Sequence, residues 1–185
     1  AAHPALFKKN LYKPDRARAL LREAVYAGQP LTFHSTTAWP MQQEITIAIA
    51  SMLEAVGLKI DLKILDISTF REQVYFPYKN REIYMDALGN SFFDPWIAVL
   101  GFTCARNQRT DYCRPDLDQL IQQAAAEMVV EKRKQLYYKI QEVVAEDRPM
   151  VFLYQMEDTI GLHKDLQWKP APDGFVWLGK ARMGP

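Results

Sequence analysis

The strongest restriction on the fold comes from a strand–helix–strand pattern between residues 31 and 64. Residues 31–34 and 58–64 alternate apolar with polar side chains, which is typical of strands with one buried face. Between them, Pro40 marks the start of a helix and Gly57 occupies the position of its left-handed cap. A helix that connects two strands of one sheet requires parallel pairing and a right-handed crossover. The apolar face of this helix is predicted from its spacing: Met41, Ile45, Ala48, Ile49, Met52, Leu53 and Val56.

The neighbouring segments extend this pattern to an α/β fold with a mostly parallel sheet flanked by helices. A helix is expected over 14–26, before the first strand. Ser68 and Thr69 are expected to cap a further helix that runs to about residue 75. A buried central strand is predicted over 82–88, where apolar and β-favouring residues cluster with little charge.

The C-terminal half of the chain is predicted to be mainly helical. A short helix over 95–101 leads into an irregular excursion over 102–114, and two amphipathic helices then begin near Asp116 and Glu131. Residues 150–154 have the composition of a buried strand. The predicted inward positions of the two helices are Leu117, Leu120, Ile121, Ala124, Ala125 and Met128, then Leu136, Tyr137, Ile140, Val143 and Val144.

Composition narrows the class of protein. The chain has 185 residues, of which 49% are hydrophobic and 24% charged, as in a soluble globular domain. A net charge of +1 provides no field for nucleic acid or an anionic membrane. The sequence begins at Ala1 without an initiator Met or a signal peptide, so we expect a processed or truncated product.

The stretch 82–96 carries the best candidate for a ligand site. Asn90 and Ser91 favour local turns after the predicted strand, and Asp94 with Pro95 has the pattern of a helix start. A core strand that ends in a polar loop followed by a helix is how α/β proteins present ligand sites. An ordinary strand-to-helix connection has the same pattern.

Aromatic residues flank this loop. Phe92, Phe93 and Trp96 would line an apolar cleft beside a few polar contacts. The alternative is that these rings belong to the hydrophobic core, where most aromatic side chains lie.

Few residues point to catalysis or to a metal. His3, His34 and His163 are far apart, and Cys104 and Cys113 are separated by more than the roughly two to four residues of zinc motifs. The sequence has neither a Gly-rich phosphate loop nor a nucleophile elbow. We therefore predict no catalytic residue, no metal and no cofactor. A small hydrolase-like α/β enzyme and a structural or interaction domain are the alternatives to a binding protein.

The two cysteines allow two interpretations. Cys104 and Cys113 lie close enough in sequence for one local disulfide, which would place the chain in an oxidising compartment. Two buried thiols in a cytosolic protein satisfy the same count.

A series of segments resembles extracytoplasmic solute-binding proteins of the peptide, oligopeptide and nickel importers, family 5. Residues 12–24 resemble the family's Y-D-P-E-K-A-K-x-L-L-x-E-A, and 52–60 resemble L-x-x-x-G-I-x-V. Residues 112–120 resemble Y-x-N-P-x-V-D-x-L, with Cys-Arg in place of the usual polar pair. Residues 133–154 resemble R-x-x-L-Y followed by E-D-x-P-x-x-x-L-Y, and 168–174 resemble the family's closing tail.

The resemblance implies one lobe of a two-lobed protein, built like a periplasmic binding protein. It implies that 1–13 form a severed connection or arm, that 14–163 form the α/β lobe, and that 164–185 form a tail returning to a missing second lobe. It further implies capture of a peptide-like or other small solute, delivery to the membrane subunits of an ABC importer, and a periplasmic or extracytoplasmic location. Such a protein is not an enzyme.

The resemblance also assigns the ligand surface. The stretch 82–96 is similar to the family's G-W-G-A-D-Y-x-D-P, and alignment on Asp94-Pro95 places the family's acidic residue at Ser91. In peptide binders that acid holds the peptide amino group, and a hydroxyl would not supply the same charge-assisted contact. The predicted ligand residues are Asn90, Ser91, Phe92, Phe93 and Trp96. Export further implies that Cys104 and Cys113 are joined.

Overall fold

The structure is a computed structural model that describes Leu6 and residues 12–75, 82–89, 93–104, 112–157, 159–171 and 173–184. It combines a parallel sheet and its helices with a helical unit and an extended C-terminal part. The helices are α1 (Pro14–Glu23), α2 (Gln42–Ala55), α3 (Ile67–Phe70), α4 (Pro95–Val99), α5 (Pro115–Ala126) and α6 (Val130–Asp147). The strands are β1 (Pro30–Thr36), β2 (Lys59–Leu65), β3 (Ile83–Tyr84), β4 (Leu166–Gln167) and β5 (Arg182–Met183). A π-helical turn at Arg71–Tyr75 continues α3, and 3-10 turns occupy Leu100–Phe102 and Leu178–Lys180.

The parallel sheet has the order β2-β1-β3. β1 pairs with β2 along its whole length, from Pro30 opposite Lys59 to Thr36 opposite Leu65. This confirms the parallel strand–helix–strand unit, and Gly57 has the positive φ of +107° expected after α2.

The third strand differs from its prediction in place and in length. β1 is the central strand, while β3 lies at the edge of the described sheet and pairs only through Ile83 and Tyr84. The strand ends early because Asp86 turns its carboxylate onto the backbone N–H of Ala87 at 2.8 Å. Such a local bond competes with the sheet ladder.

Two helix predictions need correction: the residue that caps α3 and the set of residues that α2 buries. Asp66, and not Ser68 or Thr69, caps α3, because its carboxylate accepts the backbone N–H groups of both residues at 3.0 and 3.1 Å. On α2 the fully buried positions are Gln42, Thr46 and Ala50, whereas the predicted inward residues Met41, Ala48 and Met52 are exposed. A polar network replaces part of the expected apolar face.

A second core lies between α4, α5 and α6. Its buried members are Val99, Phe102, Leu117, Ile121, Ala124, Tyr137, Ile140 and Val144. Both amphipathic helices are thereby confirmed. Two predicted inward positions are wrong: Ala125 is exposed on α5, and Met128 is 88% exposed because α5 ends at Ala126.

The disulfide joins the end of the α4 region to the start of α5. Cys104 and Cys113 are bonded with their Cα atoms 4.6 Å apart, as predicted. Beside it, Arg114 donates hydrogen bonds to Asp147 at 2.9 and 3.0 Å and to Asp116 at 2.8 and 3.1 Å. Burial and the hydrogen bond to Asp147 raise the pKa of Tyr112 to about 12. These contacts fix the entry to α5 against the end of α6.

The predicted buried strand at 150–154 is neither a strand nor buried. Val151 is 79% exposed and Phe152 71%, and within the described residues this segment pairs with no other strand. A run that is apolar on both faces needs a sheet around it, and the described part of the chain supplies none at this place. The C-terminal part contains the antiparallel pair β4–β5 and a Trp177 ring N–H bonded to Asp173 at 2.9 Å.

We expect the disulfide to stabilise the fold by constraining the unfolded chain. Replacing both Cys104 and Cys113 by Ser should lower the free energy of unfolding by roughly 2–3 kcal/mol. Chemical denaturation measures this difference. Reductant should destabilise the wild type by a similar amount and leave the double variant unchanged. A wild type equally stable with and without reductant would contradict the prediction.

Candidate functional site

The candidate site is the edge of the sheet at which all three parallel strands end. β1 ends at Thr36, β2 at Leu65 and β3 at Tyr84, so the segments that follow them emerge on the same side. In open α/β sheets, ligands bind in the crevice outside the carboxyl ends of the strands. The two segments of interest are the β1–α2 loop (37–41) and the β3–α4 loop, of which the structure describes residues 85–89 and 93–94.

A buried polar network holds the start of α2 against Met85, the first residue after β3. The Ser35 and Thr46 hydroxyls lie 2.7 Å apart, and the Thr46 hydroxyl donates to the carbonyl of Gln42 at 2.6 Å. The side-chain amide of Gln42 donates through Nε2 to the carbonyl of Met85 at 3.1 Å. The backbone N–H of Met85 in turn donates to the carbonyl of His34 at 2.9 Å. The chain therefore leaves the sheet at a residue whose backbone is fixed on both sides.

The far end of the β3–α4 loop is held by Asp94. One carboxylate oxygen accepts the backbone N–H of Trp96 at 2.8 Å, which caps α4 as the sequence predicts. Arg133 of α6 donates through Nη2 to both carboxylate oxygens, at 2.8 and 2.9 Å. The Trp96 N–H, followed by Arg133, lowers the pKa of Asp94 below its ordinary value of 3.8. The carboxylate is thus ionised at neutral pH and links the loop to α6.

Apolar side chains are exposed around this edge: Trp39, Met41, Leu88 and Phe93. Met41 and Phe93 both have positive φ, 59° and 54°, which is uncommon for residues other than glycine. Met41 directly precedes α2, and Phe93 directly precedes Asp94, the residue that caps α4. Non-glycine residues in this conformation cluster at ligand sites, where the surrounding structure holds them.

The described residues contain no metal site and no membrane span. No group of three His, Cys, Asp or Glu side chains gathers within the described ranges. None of the helices described there is long and apolar enough to cross a membrane.

Comparison with known families decides the class of the protein. The family profile described as "Bacterial extracellular solute-binding proteins, family 5 Middle" matches residues 1–109, which is more than half of the chain. The chain belongs to this family. Family 5 consists of solute-binding proteins and not of enzymes, in agreement with the prediction that the protein is not an enzyme. The family is extracellular, so the predicted extracytoplasmic location is confirmed as well.

Solved structures share the fold. A periplasmic oligopeptide-binding protein (OppAIV) from Borrelia burgdorferi gives a TM-score of 0.65 at 20% identity, covering 77% of this chain and 29% of that chain. NikA from Staphylococcus aureus, solved with Ni(L-His)2, gives 0.64 at 19% identity, covering 74% and 30%. The murein tripeptide-binding protein MppA from Escherichia coli gives 0.61 at 24% identity, covering 74% and 27%. No curated protein sequence matches the chain.

These comparisons confirm the predicted lobe architecture of a periplasmic binding protein, with a parallel sheet flanked by helices. The chain spans less than a third of the length of the three structures.

Two of the five predicted ligand residues, Phe93 and Trp96, lie in the described part of the chain. Phe93 is 62% exposed at the sheet edge, while Trp96 is half-buried and packs against the helical core. Asn90, Ser91 and Phe92 lie outside the described residues.

Sequence reasoning missed Trp39, Gln42, Thr46 and Arg133. Gln42 and Thr46 could have been found from their spacing, because they lie four residues apart on the same helix face as the buried Ala50. The Lys-Arg-Lys run around Arg133 is typical of a solvated helix face. Its position four residues before Tyr137 instead places Arg133 on the side of the buried ring, and its guanidinium lies 5.6 Å from the centre of that ring.

The depressed pKa of Asp94 predicts a pH-dependent contribution to stability. The ionised form is favoured in the folded state, so its contribution is complete above the ordinary value of 3.8 and is lost as pH falls through the lower folded pKa. Asp94→Asn should therefore destabilise the chain at about pH 6, and the gap to wild type should narrow by about pH 3. Urea unfolding at both pH values tests this. A gap of constant size would show that ionisation of Asp94 is irrelevant.

Proposed function

We propose that this chain forms one lobe of a two-lobed protein that captures a small solute and delivers it to an ABC importer. The observation that carries the proposal is the family 5 match over residues 1–109. The edge of the sheet supports it, because exposed apolar side chains and helix starts converge there. The partners would be the solute and the membrane subunits of the importer.

The second lobe would be supplied by sequence outside this chain. The solved relatives are more than three times as long as the part this chain matches. Residues 150–163 carry large exposed apolar side chains, and so does the tail at Phe175, Val176, Trp177 and Leu178. Burial of these segments against a second lobe would remove an apolar surface that a monomeric domain rarely exposes. Residues 14–163 and 164–185 would then be the lobe and its returning tail.

The ligand would bind between the lobes, against the sheet edge described above. We assign Asn90, Ser91, Phe92, Phe93 and Trp96 to the surface that it contacts. The exposed ring of Phe93 beside the capped start of α4 supports this placement. Closure would be a hinge motion at the segments that link the two lobes.

The chemistry of Ser91 restricts the solute. The relatives include proteins named for oligopeptides and for a murein tripeptide, and one solved with Ni(L-His)2. If Ser91 occupies the position that is acidic in peptide binders, a cationic amine finds no counter-charge at that position. We therefore propose a neutral or anionic solute, or one whose amine is paired by the other lobe.

This chain alone should fold but should bind solute weakly. Half of the cleft wall would be absent, so a ligand would keep much of its surface in water. Titration calorimetry of this 185-residue chain with N-acetyl-tri-alanine and with tri-alanine measures the affinity. Sub-micromolar affinity for either peptide would contradict the two-lobed proposal.

The proposal for Ser91 is tested by a matched pair of ligands in the two-lobed protein. Blocking the amine of tri-alanine with an acetyl group should not weaken binding to the wild type, because no acid awaits the amine. Ser91→Asp should weaken the acetylated peptide by ~1–3 kcal/mol, because it desolvates an unpaired carboxylate. Titration calorimetry measures both.

Ser91→Asn is the control, since it has the size of Asp without the charge. An equal response to Asp and Asn, or no response to either, would place Ser91 outside the site. The unfolding free energy should stay within about 0.5 kcal/mol for both variants, as is usual for surface loop substitutions.

A further inference from the structure

We propose that Gln42 and Arg133 are positioning residues that hold the two ends of the β3–α4 loop in the geometry that binds ligand. The inference rests on the ligand-binding role proposed above. It assigns a role to Gln42, which lies outside the segments that resemble the family, and to Arg133, which opens the R-x-x-L-Y segment but was given no role there. Gln42 holds Met85 at the start of the loop, and Arg133 holds Asp94 at its end.

Gln42 is poorly explained as a stabilising residue. Its side chain is 2% exposed, and its carbonyl oxygen Oε1 is buried with no hydrogen-bond partner in the described residues. Burying an amide with one of its groups unpaired is unfavourable, and an apolar residue of the same shape is often neutral or better. What Gln42 does supply is the 3.1 Å bond from Nε2 to the carbonyl of Met85, directly after β3.

Thr46, one turn further along α2, also lies against Met85. Its hydroxyl lies 2.6 Å from the Gln42 carbonyl, 2.7 Å from the Ser35 hydroxyl and 3.3 Å from the sulfur of Met85. Met85 is thus held at its carbonyl by Gln42 and at its backbone N–H by the carbonyl of His34, and its sulfur lies in contact with the Thr46 hydroxyl. The direction in which the loop leaves the sheet is fixed from α2.

Arg133, which lies on α6 in the helical core, holds Asp94 at the other end of the loop. Its Nη2 donates to both oxygens of Asp94, while its Nε is buried without a partner in the described part of the chain. An arginine that only stabilised a surface would keep that group in water. Asp94 follows the exposed, positive-φ Phe93 directly, so fixing its carboxylate fixes the backbone that presents the ring.

The two anchors come from separately packed parts of the fold. α2 packs on the sheet, whereas α6 belongs to the core of α4, α5 and α6. Loop ends that are already fixed at Met85 and Asp94 need no ordering when a ligand arrives, and preorganisation of this kind raises affinity. Removal of either anchor should loosen the loop and weaken binding with little effect on the remainder of the fold.

The test uses variants of matched shape and position. Gln42→Met and Arg133→Met each keep an unbranched side chain and remove the anchoring bond. Gln43→Met, on the exposed side of α2, and Lys134→Met, the next cation on α6, are the controls. Arg133→Lys restores a charge that can reach Asp94 and should recover part of what Arg133→Met loses.

The first readout is hydrogen–deuterium exchange of the full chain, which needs no ligand. Gln42→Met should speed exchange at residues 85–89, and Arg133→Met at 93–97, by about tenfold, the effect of losing one or two hydrogen bonds. The two control variants should leave both segments unchanged, and exchange in α5 should stay at the wild-type rate in all five variants. Unchanged exchange in the loop segments would overturn the proposal.

The second readout is the affinity of the two-lobed protein for N-acetyl-tri-alanine and tri-alanine. Each anchor variant should weaken the peptide that the wild type binds by about tenfold, whereas the controls should not. Faster loop exchange with unchanged affinity would make the anchors structural and overturn the proposal. A wild type that binds neither peptide would count against the proposed peptide-like solute, and the exchange result alone would then decide whether the anchors hold the loop.

Discussion

The parallel pairing of β1 with β2 is the constraint on which the rest of the structure depends. Because the two strands pair over the whole of β1 in one register, α2 must cross back over the sheet, and every strand ends on the same side. That geometry brings the start of α2 beside the end of β3. A register shift of one residue would turn Ser35 to the other face and separate it from Thr46. The site at the sheet edge is therefore a consequence of strand pairing some distance from it.

Asp94 joins the start of α4 to α6 through a single carboxylate. The same group caps α4 and accepts Arg133 from α6, so a helix start and a tertiary contact share one charge. Because the side chain is partly exposed, solvent screens the pair and its energetic contribution is modest. Its importance lies in orientation, since it determines how the chain enters the second core after passing the sheet edge.

Much of the fold could be predicted because its elements follow simple periodicities. The alternation of Leu58 to Ile64 predicts β2, the spacing of Leu117, Ile121 and Ala124 predicts α5, and Asp94-Pro95 predicts the start of α4.

The errors arise where side chains override those rules. Gln42 and Thr46 face the sheet because they bond to Met85 and Ser35, and a rule that places apolar residues inward misses them. Asp86 ends β3 early by bonding to its own backbone. Arg133 has the sequence context of a solvated residue, and only the tertiary fold reveals Asp94 beside it. The apolar composition of 150–154 favours burial, but composition does not reveal whether the sheet that would bury the segment belongs to this chain.

The exposed apolar run at Val151 to Tyr154 has a consequence for cooperativity. If a strand contributed by one lobe completes the sheet of the other, neither lobe can lose its structure without exposing a gap in its neighbour. The two lobes would then melt in a single transition even though they move apart when the cleft opens. Hinge motion and unfolding would be separated in such a protein, because the hinge changes the distance between lobes while the shared strand keeps their stabilities joined.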